Sequence, residues 1–211
     1  MSYDVALARI AQLQSLFAAP AAAAPAAPAP AATTPAATTT FSTALQSAGT
    51  STLTGTTAAQ QPASTAGQAI VNLVSKEVGV AEQPPGSNDS PRIAQYRQAT
   101  AGSGVGPWCA YFTSWAARES GVPLGDNGQG FGRVDDVYAW AQKAGKAIPN
   151  TGADVKPQPG DLIVWDEHIG VVESVGADGT INTIEGNSSD QVSRRSYAPG
   201  QRPAIGYVRL G

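Results

Sequence analysis

The chain has 211 residues, with 13 lysines and arginines against 16 aspartates and glutamates, so its formal net charge is -3. This slight acidic excess argues against a nucleic-acid-binding protein, because such proteins usually carry a basic excess. A single cysteine excludes an internal disulfide and a multi-cysteine zinc site, and a single histidine leaves too few nitrogen ligands for a typical catalytic zinc. We therefore expect neither a metal nor a cofactor.

No apolar stretch approaches the roughly 20 residues that a membrane-spanning helix requires. The N-terminus also does not resemble a secretory signal peptide. Ser2-Tyr3-Asp4 is not a basic segment, and Arg9 and Gln12 interrupt the apolar stretch that follows. The ordinary secretory route is therefore not expected.

Two segments precede the predicted globular domain. Within the first, residues 1–17, the stretch 3–17 predicts a short amphipathic helix with Ile10 and Phe17 in its apolar stripe. Residues 18–66 are rich in Ala, Pro and Thr and lack charged residues, which predicts a disordered linker. A helix of about 15 residues is marginal in isolation, so it is either a fraying tail or a docking or self-association element.

The globular domain is predicted to comprise residues 67–211. Helical spacing of apolar residues predicts one helix ending by Gly79, one at 91–99, one that begins after Gly106-Pro107 and runs to Glu119-Ser120, and one near 135–144. After Gly160 the pattern becomes strand-like, which predicts strands at 161–165, 168–175, 180–185, 192–197 and 205–210. Helices followed by an antiparallel sheet predict an α+β fold with the helices gathered on one face.

The only cysteine, Cys109, lies at the start of a strongly apolar predicted helix. Gly106-Pro107 break the backbone before it, and Trp108, Phe112 and Trp115 repeat at helical spacing after that break. Free N–H groups and the positive end of the helix dipole favour a thiolate in a first turn. Cys109 is therefore either an activated nucleophile or an inert buried residue, since free cysteines are commonly buried.

A hairpin signal gives the expected register of the second and third strands. If Asp178-Gly179 form a two-residue loop, His168 faces Ser189 across the pair. His168, Glu185 and Asn187 then share one face, with Asn187 diagonal to His168 and Glu185 one pair further away. A β-bulge in the hairpin would place some of these side chains on the opposite face of the sheet. Either Glu185 or Asn187 can orient the imidazole.

These residue types fit the cleavage of an amide by a thiolate. The sulfur attacks the carbonyl carbon, while His168 holds a proton and later gives it to the leaving amine. A third group keeps the imidazole in one tautomer. The tetrahedral intermediate needs hydrogen-bond donors, and the backbone N–H of Cys109 is the natural first donor.

Four motifs, in this order, resemble the CHAP family of cysteine, histidine-dependent amidohydrolases/peptidases, which is related to NlpC/P60. They are Pro107–Phe112, Gly160–Trp165, His168–Val172 and Ile184–Asn187. The resemblance covers about residues 67–211 and implies a papain-like α+β fold that cleaves amide bonds of bacterial peptidoglycan. It also implies the following catalytic residues: Cys109, His168, Glu185 and Asn187.

Several nearby residues are weaker candidates. Asn88 lies in a segment that resembles the one preceding the cysteine in a subgroup of these domains. Trp108 and Trp165 are possible lining for a glycan or peptide groove, although such residues more often belong to the core. Asp166-Glu167 are either turn residues or substitute partners for His168. Acidic residues near the cysteine helix are too sparse for a dedicated calcium site.

The sequence thus predicts a peptidoglycan amidase or endopeptidase that acts through a thioester in the cell envelope. One alternative is a tethered wall-associated assembly or binding module, flagellum- or phage-associated, whose helix docks on a partner. Another is a transferase that passes the acyl group to an amine. Because no signal peptide is recognised, we expect a non-classical route: release as a phage lysin, or a dedicated exporter such as the flagellar one.

Overall fold

The computed structural model describes residues 63–152 and 155–211. The predicted helix at 3–17 and nearly all of the predicted linker lie outside the described residues. The described part of the chain forms four α-helices and a six-stranded antiparallel sheet, which confirms the predicted α+β class. Its helices are all too short or too polar to cross a membrane.

The helices come first in the chain, and two of them begin at residues suited to capping. They are α1 (Thr65–Val74), followed by a 3-10 turn (Ser75–Glu77), α2 (Pro91–Arg97), α3 (Cys109–Glu119) and α4 (Val134–Lys143). The hydroxyl of Ser64 accepts a hydrogen bond from the Gly67 N–H at 2.9 Å, which caps α1. Ser90 caps α2 in the same way, with Pro91 in its first turn.

The sheet follows, with strand order β1-β6-β2-β3-β4-β5. The strands are β1 (Ala147–Pro149), β2 (Leu162–Val164), β3 (Ile169–Val175), β4 (Ile181–Glu185), β5 (Ser193–Tyr197) and β6 (Gly206–Val208). The five predicted strands are confirmed with slightly shorter bounds. The edge strand β1 was not predicted; it is only three residues long and pairs with β6.

The main core lies between the helices and one face of the sheet. Phe112 from α3 packs there with Ile169 and Val171 from β3 and Ile184 from β4, all fully buried. A smaller cluster that includes Trp165 and Val172 lies apart from the helices. Alternate residues of β3 therefore point to the two different clusters, as the period of two in a strand requires.

The hairpin between β3 and β4 differs from the predicted two-residue loop. The Gly176 N–H donates to the Thr180 carbonyl at 2.8 Å, so three residues, Ala177 to Gly179, lie between the bonded pair. Gly179 takes a positive φ of 83°, which a glycine adopts without strain. The Asp178 carboxylate accepts from the Thr180 N–H and stabilises the turn.

A second register shift lies between Val172 and Ser174. Together the two shifts make the predicted pairing of His168 with Ser189 wrong. Each displaces the register by one residue in the same direction, so the shared face of His168 and Glu185 is preserved. The net displacement also brings Glu185 closer to His168 than predicted.

Candidate functional site

Cys109 is the first residue of α3 and is 6% exposed. Trp108 forms the N-cap, and the first helical hydrogen bond joins the Phe112 N–H to the Trp108 carbonyl at 2.9 Å. No side chain in the described parts of the chain caps this helix. The N–H groups of the first turn therefore remain available to a negatively charged group beside the cysteine.

His168 lies immediately before β3, at the end of a tight turn. The Trp165 N–H donates to the His168 carbonyl at 2.9 Å, which leaves Asp166 and Glu167 as exposed turn residues. The Trp165 ring stacks on the imidazole with centroids 5.7 Å apart and an interplanar angle of 26°. The structure thus favours the turn interpretation of Asp166 and Glu167 and gives His168 a fixed ring plane.

Glu185 ends β4 and makes the closest polar contact of the imidazole. Its side chain is 1% exposed, and its Oε2 lies 2.8 Å from His168 Nε2. Gly170 makes room for this pair, because a Cβ there would lie 2.7 Å from Glu185 Cγ. Of the two orienting residues that the sequence leaves open, Glu185 is the one in contact with His168.

Two hydroxyl groups hold the other oxygen of this carboxylate. Thr183 donates to Glu185 Oε1 at 2.6 Å, and Tyr197 donates to the same atom at 2.9 Å. The Tyr197 hydroxyl in turn accepts from Arg202 at 3.2 Å. Glu185 therefore receives three donors on two oxygens, which fixes the side chain and leaves Oε2 directed at the imidazole.

Sequence reasoning missed both hydroxyls. Thr183 precedes Glu185 by two residues on β4, so the period of two in a strand was a usable signal. Tyr197 lies on β5, whose register against β4 follows from a loop of several residues rather than from a tight turn. No local pattern in the sequence placed Tyr197 near Glu185.

The imidazole interacts with both Cys109 and Glu185, and this changes its protonation. Burial acts to lower the pKa of His168, but hydrogen bonds and charge interactions with Cys109 and Glu185 outweigh it and raise the pKa to about 9. Because Nε2 is bonded to Glu185, Nδ1 is the ring nitrogen that remains for the cysteine. The arrangement therefore favours an imidazolium beside the sulfur at neutral pH.

Glu185 complements this charge. Burial acts to raise the pKa of its carboxyl, but hydrogen bonds from His168, Thr183 and Tyr197 outweigh burial and hold the pKa below its usual range. Burial and the neighbouring carboxylate raise the pKa of Tyr197, so its hydroxyl remains a donor. The buried acid is thus ionised when the imidazole is protonated, which compensates for the desolvation of both groups.

The raised pKa of His168 predicts a pH-dependent stability. A histidine whose pKa increases on folding contributes stability that is complete below about pH 6.5 and is lost as pH rises to about 9. The contribution is on the order of 3 kcal/mol. We expect the difference in unfolding free energy between the parent and His168→Gln to shrink by that amount between pH 6 and pH 9.5 in urea titrations. A difference independent of pH would contradict the ion pair.

Asn187 lies in the loop after β4, with a left-handed φ of 57°. Its side chain forms no hydrogen bond with His168 in the part of the chain that the structure describes. The preceding residue, Gly186, lies against α3, because a Cβ there would lie 2.6 Å from Phe112 Cβ. The catalytic role predicted for Asn187 stays a prediction, and the described residues show no hydrogen bond between its side chain and the imidazole.

The three weaker candidates lie in different environments. Trp108 is fully buried and packs against Tyr96 and Phe112, so it belongs to the core and does not line a groove. Trp165 is 4% exposed, and the Arg202 guanidinium covers its ring at 4.3 Å, so its main contact is structural. Asn88 is partly exposed, in the loop that precedes α2.

Comparison with known families supports the interpretation of this site. Residues 100–187 match the family model of the CHAP domain, which confirms the resemblance seen in the sequence motifs. The matched range contains Cys109, His168, Glu185 and Asn187. CHAP domains are generally cysteine, histidine-dependent amidohydrolases or peptidases, so the match supports an amidase- or peptidase-type activity related to peptidoglycan. No curated protein matches the chain significantly.

Proposed function

Because residues 100–187 match the family model of the CHAP domain, we propose that this protein is a peptidoglycan hydrolase that cleaves an amide or peptide bond through a cysteine thioester. The observation that carries the proposal is the 2.8 Å contact of the imidazole with the buried Glu185, in a position where Cys109 also raises the pKa of His168. A nucleophile, a base and an orienting group rarely meet without a catalytic purpose. A peptidoglycan substrate would place the site of action in the cell envelope.

The proposed reaction has two half-steps. The Cys109 thiolate attacks the amide carbonyl carbon, and the His168 imidazolium gives its proton to the leaving amine as the carbon–nitrogen bond breaks. The neutral imidazole then takes a proton from water, whose oxygen attacks the thioester and releases a carboxylic acid and the thiolate. Glu185 stays ionised and holds Nε2–H in place throughout.

Both half-steps pass through a tetrahedral oxyanion. The uncapped first turn of α3 offers the Cys109 N–H as a donor, as the sequence predicts. The same N–H groups and the helix dipole stabilise the thiolate before attack. One end of one helix therefore serves both the nucleophile and the intermediate.

Mass spectrometry of digested peptidoglycan tests the proposal and identifies the bond. Hydrolysis predicts fragments with a new carboxylate and a new amine, and with no mass added beyond water. If an added amine acceptor is incorporated in preference to water, the protein is a transferase and the hydrolytic half-step is wrong. If no amide is cleaved under either condition, the proposal fails.

Replacing Tyr197 with phenylalanine tests the support of Glu185. The change removes one of three donors to the carboxylate and keeps the ring that packs on Trp165. A hydrogen bond to a charged group contributes roughly 1.5–3 kcal/mol, so we expect kcat/KM for peptidoglycan fragments to fall by about 10-fold or more. The pKa of Glu185 should rise, which moves the acidic limb of the pH–rate profile to higher pH.

Tyr207→Phe is the matched control for this variant. Tyr207 is a buried tyrosine of β6 whose hydroxyl has no hydrogen-bond partner among the residues the structure describes. We expect its loss to leave the pH–rate profile unchanged. A similar profile shift in both variants would mean that the Tyr197 hydroxyl does not act on Glu185.

A further inference from the structure

Glu82 is a buried carboxylate that the proposed chemistry does not use. It is 3% exposed and lies between α1 and α2 in the chain. Its Oε1 accepts from Trp108 Nε1 at 2.9 Å, and its Oε2 accepts from the Asn88 backbone N–H at 2.7 Å. No lysine or arginine within 63–152 and 155–211 forms an ion pair with it.

Burying a carboxylate without a cation costs free energy, so the position of Glu82 beside α3 requires a physical explanation. Both donors to Glu82 are N–H groups that would otherwise be buried without an acceptor. One belongs to Trp108, the residue directly before Cys109 and the N-cap of α3. A neutral replacement such as glutamine has one acceptor oxygen, so it cannot accept from both donors with the same geometry.

The backbone of Glu82 is tied to the other half of the site. Its N–H donates to the Asp190 carbonyl at 2.9 Å, and the adjacent Ala81 forms a bridge with Gln191. Asp190 and Gln191 belong to the loop that leaves β4 after Glu185. One residue therefore joins the start of the cysteine helix to the loop that follows the carboxylate.

We infer that Glu82 is a positioning residue that holds Trp108, and through it Cys109, in register with the imidazole. Trp108 has a ψ of 15°, and this angle orients the peptide group that carries the Cys109 N–H. Rotation about ψ would turn that N–H away from the oxyanion and shift the sulfur. The inference rests on the proposed function for its catalytic consequence, but its effect on the sulfur does not depend on the substrate.

Trp108→Phe removes the hydrogen bond between Trp108 and Glu82 from the donor side, and Glu82→Gln weakens it from the acceptor side by leaving the two donors one acceptor oxygen. Glutamine keeps the shape but has one acceptor oxygen for two donors, and phenylalanine keeps a large ring but has no N–H. Asp161→Asn is the matched control. Asp161 is also a buried carboxylate, but it bonds Arg209 and the Gln158 N–H and has no hydrogen bond with Trp108 or with the proposed catalytic residues.

Two readouts separate positioning from simple destabilisation. The first is the rate of alkylation of Cys109 by iodoacetamide across pH, which reports on one sulfur because the chain has a single cysteine. The second is the division of any loss between kcat and KM on peptidoglycan fragments. Each is measured at least 15 °C below the lowest melting temperature, so that the folded state predominates in every variant.

We expect Glu82→Gln and Trp108→Phe each to slow alkylation about 10-fold and to lower kcat about 10- to 100-fold, with KM nearly unchanged. The double variant should be no worse than the poorer single variant, because both remove one interaction. Asp161→Asn should lower the melting temperature and leave both rates at the parent value.

Three results would overturn the inference: parent-like alkylation in Trp108→Phe, losses that multiply in the double variant, or the same losses in Asp161→Asn. If Glu82→Gln does not fold, Trp108→Phe still tests the bond from its other end. If the parent releases no fragments from peptidoglycan, the proposed function fails, while the alkylation rates still decide the role of Glu82.

Discussion

Replacing Cys109 with alanine is expected to reduce the release of peptidoglycan fragments by about 10⁴-fold or more while the domain stays folded. The sulfur is the proposed nucleophile, and removing a catalytic nucleophile leaves only the contribution of binding and of the oxyanion donors. Alanine is a strong helix former, and the lost contacts of one 6% exposed sulfur should cost about 1 kcal/mol. Fragment release and thermal melting measure the two effects separately.

Ser114→Ala is the control for disturbance of α3. Ser114 is buried on the same helix and exchanges hydrogen bonds with the Phe131 backbone, away from the imidazole. Its loss should reduce stability and keep most of the activity. If Cys109→Ala digests peptidoglycan as fast as the parent, the sulfur is not the nucleophile, and the alternative of a binding or assembly module gains support.

The helices were predictable because their signals are local. Ser90 and Pro91 mark the start of α2, and Gly106-Pro107 separate the preceding loop from α3. Gly121, with a positive φ of 79°, follows the end of α3 where the sequence predicts a stop. Each of these signals depends on backbone groups within a few residues, so tertiary contacts did not need to be known.

The register of β3 and β4 was only partly predictable. Asp178-Gly179 correctly indicate a turn, but the three-residue loop and the shift after Val172 depend on contacts that the dipeptide does not report. His168 and Glu185 still lie on one face of the sheet, because two register shifts of one residue in the same direction return their side chains to a common face. A single shift would have placed the two side chains on opposite faces, so this part of the prediction succeeded through cancellation.

Contacts between distant segments were not predictable from the sequence. The strand Ala147–Pro149 is too short to show alternation, and its pairing with β6 depends on residues about 60 positions away. Glu82 and Trp108 are likewise joined only by the folded chain. Residues that support a site are therefore harder to recognise than the residues that perform its chemistry, because support depends on tertiary geometry alone.

Glu185→Gln should produce the second large loss, about 10²- to 10⁴-fold in kcat/KM. Glu185 accepts from His168, Thr183 and Tyr197 on two oxygens, whereas glutamine has one acceptor oxygen and an NH2 group. The NH2 group of the glutamine must then face either the hydroxyls of Thr183 and Tyr197 or the imidazole, and it cannot accept their hydrogen bonds. The pKa of His168 should fall from about 9, because the neighbouring negative charge is gone. The alkaline limb of the pH–rate profile should move to lower pH.

Asn187→Gly provides the contrast that separates the two orienting residues. Glycine tolerates the left-handed φ of 57° at this position, so the amide is removed without adding backbone strain. Because the imidazole contacts Glu185, we expect Asn187→Gly to lose much less activity than Glu185→Gln and to leave the alkaline limb in place. The reverse order of losses would mean that Asn187 orients His168 during turnover and that the contact with Glu185 is structural.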